Sequence, residues 1–357
     1  MDEKQITAEP VETARSRWFH LSPDRLVIGL LLVISLLWLS ERFQWFGFNH
    51  HKGWTVLIAV AAVGAAAVVV LAWWIAGLIF RWRFQFGIRS LLAFCLTMSI
   101  AAGWLAVEMR RARRQADVVT PIRNSNAWET YDWQFDADGR STGSSEPPWP
   151  GPLWKTLGID FFSVVVVIHY TDATDAGLEN LKELTHLREL SLDSTKVTDA
   201  GLAHLNRLTE LRYLGISYTD VTDAGLEHLK GLTQLRKLDL SGTNITDAGL
   251  AYLKELTLLV LNSTRITDAG LAHLRDLKQL RLLDLCETNV ADAGLEQLRN
   301  MPQLQSLGLD GTKTTDVGLL RLKELTQLRE LYVHNTKVTD AGVNELQKAL
   351  PNCTIFR

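Results

Sequence analysis

Seven side chains in the second half of the sequence carry the chemistry best suited to recognition: Tyr213, Tyr218, Asp239, Asp284, Asp310, Tyr332 and His334. Tyrosine joins a large apolar ring to a polar tip, a combination favoured in interface anchors. Catalysis finds no comparable support. Asp193, Asp239, Asp284 and Asp310 recur along a repeat and do not converge, and no Ser-His-Asp, Cys-His, phosphate-loop or zinc spacing appears. The expectation is a binding protein that is not an enzyme and needs no cofactor or metal. His186, His204, His228 and His273 fall at repeat positions expected to face water. Asp136 and Asp138 start like a calcium loop but lack further acidic ligands at suitable offsets. Cys95, Cys286 and Cys353 form neither a disulfide framework nor a metal motif. With 37 basic against 40 acidic residues and a net charge of −3, strong bulk attraction to nucleic acid is excluded.

The elements that must position these side chains come from a repeat. Thr-Asp-Ala-Gly or a close variant recurs eight times, at Asp175, Asp199, Asp223, Asp247, Asp268, Asp292, Asp316 and Asp340, every 24 residues except for one interval of 21. A fixed period of roughly 20 to 29 residues with leucines at fixed offsets marks a stacked solenoid. Around Leu238 and Leu240 apolar and polar residues alternate, as in a short strand. Leu250, Leu253 and Leu256 then recur every third residue, which predicts a short helical turn. The Thr and Asp ahead of that turn are expected to cap it, with Asp292 taking over where Ala291 replaces threonine. Thr171, Thr195, Thr219, Thr243, Thr264, Thr288, Thr312 and Thr336 follow the strands, where their hydroxyls could serve buried backbone groups. The 21-residue interval loses its three residues near Leu256 to Leu259, which predicts a local kink or tighter turn.

The pattern Leu-x-x-Leu-x-Leu-x-x-Thr-x-Ile-Thr-Asp-x-Gly-Leu resembles the leucine-rich repeat family, most nearly the subclass found in F-box adaptor proteins. Threonine stands where that subclass has cysteine, and no F-box-like segment precedes the repeats. The whole arrangement looks like the membrane-attached repeat proteins of planctomycete-type bacteria. The resemblance implies an α/β solenoid of parallel strands and short helices, here preceded by membrane-spanning α-helices.

Hydropathy divides the chain further. Residues 1–25 form a tail and residues 26–107 a membrane region with spans expected at 26–46, 54–80 and 90–107, crowded at their ends by tryptophans. Small residues from Ala59 to Ala67 would permit close helix approach, a weak pointer that leaves the oligomeric state unspecified. Residues 108–125 are a basic juxtamembrane helix ended by Pro121, residues 126–163 a cap and linker, and residues 164–357 the solenoid. Within the linker, Tyr131 to Phe135 should be a strand entering a hairpin. Short-loop lysines and arginines balance at six on each side of the membrane, so the side of the repeats is undetermined.

Outward strand positions, from Val165, Val167 and His169 to Glu330, Tyr332 and His334, define a concave face of small, polar and acidic residues. The expected function is a multi-pass protein of a bacterial cell membrane that binds another protein or a cell-envelope polymer through this face. Two alternatives are a structural spacer without a specific ligand and a degradation-adaptor-like protein.

Overall fold

The computed structural model describes residues 88–124, 127–135, 141–144, 146–148 and 158–357, with single positions 61, 64, 152 and 155. A first body, reaching Val107, is described only through helical residues 88–107 and positions 61 and 64; the second holds Glu108 to Arg357. In the second body ten strands form one sheet in sequence order: β1 Trp128–Tyr131, β2 Val165–His169, β3 Glu189–Ser191, β4 Tyr213–Gly215, β5 Lys237–Asp239, β6 Leu258–Val260, β7 Leu282–Asp284, β8 Ser306–Gly308, β9 Glu330–Tyr332 and β10 Thr354–Phe356. β2 to β10 are parallel, and β1 pairs antiparallel with β2. The register sets Leu190, Leu214, Leu238, Leu259, Leu283, Leu307 and Leu331 in one buried row. Across from them Leu202, Leu226, Leu250, Leu271, Leu295 and Leu319 are buried from the helical side. Each leucine removed from water contributes about 1.5–3 kcal/mol, and the neighbouring repeat supplies the cover.

Polar bonds run along the same stack. From Asp175 to Asp316 the motif aspartate does not cap its own helix; its carboxylate reaches the next repeat. Asp199 accepts from Thr222 N at 2.8 Å and Thr222 Oγ1 at 2.7 Å, and Asp223 accepts from Thr246 N at 2.8 Å and Thr246 Oγ1 at 2.5 Å. Asp175, Asp247, Asp292 and Asp316 make the same pair of bonds to Thr198, Thr267, Thr315 and Thr339. The cap is the threonine alone, whose hydroxyl accepts from a backbone N–H of the first turn, as Thr222 does from Ala224 at 3.3 Å. From the second repeat on, each of these threonine hydroxyls donates backward to a carboxylate and accepts forward from its own helix. The motif glycine leaves room for this: a Cβ on Gly225 would lie 2.4 Å from Asp199 Oδ1. At Ala291 both hydroxyl bonds are gone, Asp268 keeps only the backbone N–H at 2.7 Å, and Asp292 bonds to Thr315 instead of capping.

The threonines that follow the strands turn their hydroxyls onto the carbonyl three residues back, from Thr195 to Leu192 O at 2.6 Å through Thr336 to Val333 O at 2.7 Å. Thr171, ahead of the first of them, is exposed. The residue ahead of each is left-handed: Ser194, Tyr218, Gly242, Ser263, Glu287, Gly311 and Asn335 have φ between 54° and 69°. In the short repeat the sheet register continues without a break from Leu238 to Leu259. The three missing residues are absorbed in the return, where the helix stops at Tyr252 and Glu255 adopts φ 58°. The expected kink is thus confined to a turn.

Both ends are covered. At the C-terminal end helix Asp340–Ala349 and β10 close the core, and Arg357 pairs with Asp340, the one motif aspartate with no repeat after it. At the other end helix α1, Ile88–Arg123, continues past Pro121, and its Ala112, Val119 and Ile122 are buried. Gln115 accepts from Val165 N at 3.3 Å and donates to Asp160 Oδ1 at 2.8 Å and Ser163 O at 3.1 Å. Residues 108–123 thus bury a face against protein. The strand expected from Tyr131 to Phe135 lies earlier, at β1, because Gln134 Oε1 takes the N–H of Tyr131 at 2.9 Å and residues Asp132–Gln134 coil into a 3₁₀ turn.

Among the described residues no helix is long and apolar enough to cross a membrane. The span expected at 26–46 lies outside the described residues, as does the one at 54–80 except for helical positions 61 and 64. The one expected at 90–107 forms part of α1, where 18 residues reach about 27 Å against a hydrocarbon core of about 30 Å. Asp136 and Asp138 also lie outside the described residues.

Two measurements check the ladder. Ala291→Thr should raise stability by about 1 kcal/mol in urea unfolding by restoring a cap and a carboxylate bond. The bonds from Thr339 hold the Asp316 carboxyl below its ordinary value. Its stabilisation is therefore present above the unfolded value near 3.9 and lost as pH falls through the depressed one. The difference in melting temperature between the native chain and Asp316→Asn should accordingly be full above pH 5 and shrink in stronger acid.

Candidate binding face

The face opposite the leucines is built from three rows along each strand and its exit. The first row holds exposed Glu189, Lys237 and Glu330 with half-buried Tyr213, Leu258, Leu282 and Ser306. The second carries Asp239, Val260, Asp284 and Tyr332, and the third Asp193, Asn262, Cys286, Asp310 and His334. The aspartates therefore occupy two rows, Asp239 and Asp284 in one and Asp193 and Asp310 in the other, instead of a single register. Val165 and Val167, expected on this face, are only 1% and 5% exposed, because the segment before the solenoid closes over the first strand. His169 stacks on Trp128 of β1 with ring centroids 3.8 Å apart.

Short side chains hold the carboxylates in place. Asp193 accepts from Ser191 Oγ at 2.6 Å and from Ser217 N and Oγ at 2.9 and 2.7 Å, and Asp239 accepts from Ser241 N and Oγ at 2.9 and 2.6 Å. Asp310 accepts from His334 N at 2.6 Å and lies 3.2 Å from His334 Nδ1. Gly308 gives Asp284 room to lean across the strand, since a Cβ there would meet Asp284 Oδ1 at 2.3 Å.

The two sides of the solenoid differ in how charge is balanced. On the helical side Glu179, Glu227 and Glu345 pair with Lys182, Lys230 and Lys348, and Arg299 and Arg321 link Glu296 and Glu324. Among the described residues no lysine or arginine pairs with Glu189, Asp193, Asp239, Asp284, Glu287 or Glu330. The field of this face is negative, and burial together with Asp193, Asp239 and Glu189 pushes the Tyr213 phenol up to about 12. Burial and Asp284 also raise the Cys286 thiol, which keeps it from acting as a thiolate nucleophile near neutral pH. Among the described residues no group of three His, Cys, Asp or Glu is placed to hold a metal ion.

The seven residues picked out by sequence separate into two groups. Tyr213, Asp239, Asp284 and Tyr332 stay on the strands, and Tyr332 stacks on Phe356 of β10 with centroids 4.7 Å apart. Tyr218, Asp310 and His334 line, at the strand exits, one groove of about 380 Å³ completed by Asn262, Ser263, Cys286, Glu287, Gly311 and Asn335. Sequence reasoning missed most of these last residues. Their signal was the left-handed position before each threonine, where Gly, Asn and Ser alternate with the unexpected Tyr218 and Glu287.

The family model described as a leucine-rich repeat region matches residues 163–342, which is 180 of the 357 residues. The chain belongs to the leucine-rich repeat family. No curated protein matches it. Among solved structures this leucine-rich repeat chain is similar to internalin C2 of Listeria monocytogenes, at 26% identity over 55% of this chain and 86% of that one, with a TM-score of 0.43. It is also similar to the leucine-rich repeat protein LIC12759 of Leptospira interrogans, at 16% identity over 50% and 57% with a TM-score of 0.36. A plant peptide hormone receptor, RGFR1 in complex with RGF2, matches at 18% identity over 50% and 29% with a TM-score of 0.35. These scores lie below 0.5, so membership rests on the repeat sequence.

The stack of Tyr332 on the terminal strand has a measurable consequence. Tyr332→Ala should lower the midpoint of chemical unfolding, whereas Tyr332→Phe, which keeps the stack and loses only the phenol's bond to Glu330, should lower it less.

Proposed function

We propose that this chain binds a protein partner through the concave face of its solenoid and is held at a membrane by the apolar residues that precede it. The carrying observation is the uneven balance of charge: Glu179, Glu227, Glu296, Glu324 and Glu345 on the helical side have basic partners, whereas Asp193 and Asp239 on the strand face are oriented by serines and backbone and form no ion pair with a lysine or arginine. Fixed, uncompensated charge steers association and selects a complementary surface. Tyr213 and Tyr332 add aromatic area beside those charges, which suits a partner with a basic surface. Membrane attachment is supported by sequence, since residues 26–46 and 54–80 carry long apolar runs. Leu96, Ile100, Val107 and Met109 of α1 also expose apolar side chains. The spacer alternative would need no oriented carboxylates, and a degradation-adaptor role rests on repeat resemblance alone.

Capture from native membranes, repeated with Glu189→Lys and Tyr213→Ala, tests the binding reading. At least one partner should be enriched and lost by about tenfold or more with the charge reversal, because like charges across an interface cost several kcal/mol. Equal capture by the native chain and both variants would favour a spacer. Carbonate extraction tests attachment: the chain should stay with the membrane pellet, and release into the supernatant would overturn it.

A further inference from the structure

We infer that the groove at the strand exits is a site for an arginine side chain carried on an extended peptide that runs along the solenoid. This rests on the reading of the solenoid as a binding surface and names the chemistry of one part of it. Of the two glycines in the row ahead of the strand-exit threonines, Gly311 lines the groove and Gly242 lies against the Tyr218 ring. Gly242 and Gly311 share the left-handed position with Ser263, Glu287 and Asn335, so that backbone conformation does not itself demand glycine. What the missing side chains supply is space. A Cβ on Gly242 would lie 2.5 Å from Tyr218 Cδ1, so the Tyr218 ring lies across that position to reach the next repeat, and it remains 63% exposed. A tyrosine held at φ 54° costs on the order of 1 kcal/mol, and its ring forms one wall of the groove without burial in return.

The lining is rich in acceptors, although Asp310 already accepts from His334 N at 2.6 Å and lies 3.2 Å from His334 Nδ1. Glu287 and Asp310 supply carboxylates, with Ser263 Oγ donating to Glu287 Oε2 at 2.8 Å. Asn262, a residue of the lining, has its Oδ1 buried with no hydrogen-bond partner among the described residues. No lysine or arginine lines the groove. A guanidinium offers five N–H donors in a plane that can stack on an aromatic face, which matches an exposed ring beside carboxylate and amide oxygens better than a compact ammonium does. From Tyr218 to Asn335 the lining crosses from the repeat of β4 to that of β9, five strand spacings or about 24 Å, which an extended peptide of about seven residues would cover.

The test uses the full chain in detergent and three fluorescein-labelled Gly-Ser decapeptides, carrying three arginines, three lysines or three citrullines, followed by anisotropy. The arginine peptide should bind most tightly, the lysine peptide several-fold more weakly, and the citrulline peptide not measurably. Tyr218→Ala and Glu287→Gln should each weaken the arginine peptide at least fivefold. Ser263→Lys, an exposed change that leaves the leucine core intact, should abolish binding with the melting temperature unchanged. Equal affinity for arginine and citrulline peptides, or arginine binding indifferent to Glu287→Gln and Ser263→Lys, would overturn the assignment. A native partner whose capture is lost with Glu189→Lys yet insensitive to Ser263→Lys would overturn it while leaving the wider binding face standing.

Discussion

One carboxylate per repeat, reaching forward to the threonine of the next, is the constraint on which the rest of the solenoid depends. Leucine burial drives stacking but is tolerant of sliding, because one leucine row resembles the next. A hydrogen-bonded pair from Asp223 to both the N–H and the hydroxyl of Thr246 is not tolerant. It fixes where one repeat begins relative to its neighbour, and the sheet register follows. From Gly201 to Gly342 the glycine two residues after the aspartate leaves room for the preceding repeat's carboxylate, so three of the four motif positions serve one contact. At the C-terminal end Arg357 takes the place of the absent threonine.

Much of this architecture was legible in the sequence, because a 24-residue period with fixed leucines dictates strand, turn and helix whatever the partner surfaces are. The role of the repeated aspartate was not. Thr-Asp before a helical turn is a familiar capping signal, and only coordinates show that Asp199 lies closer to the next repeat's Thr222 than to its own first turn. Val165 and Val167 were misplaced for a related reason. Alternation gives the side of the strand a residue points to, and says nothing of α1 and β1 folding over that side at the first repeat. The groove was only half visible, through Tyr218, Asp310 and His334, because its lining comes from strand-exit residues of successive repeats coming into line.

Function follows from what the ladder leaves over. With register fixed by one row of carboxylates near the helix starts, the strand face is free to carry a second set with different duties. Serines and backbone N–H groups hold Asp193 and Asp239 in orientation without neutralising them, which preserves a negative field over a rigid sheet. Arg299 and the lysines of the opposite side neutralise their own neighbours. One surface is thereby quiet and the other directional.

Native-state hydrogen exchange at the Thr246 amide addresses the central claim most directly, comparing the native chain with Asp223→Ala. Loss of protection at Thr246, with Thr222 and Thr315 keeping theirs, is the result expected if each aspartate holds the repeat that follows it. Unchanged protection at Thr246 would mean that leucine packing alone sets the register, and would contradict the account.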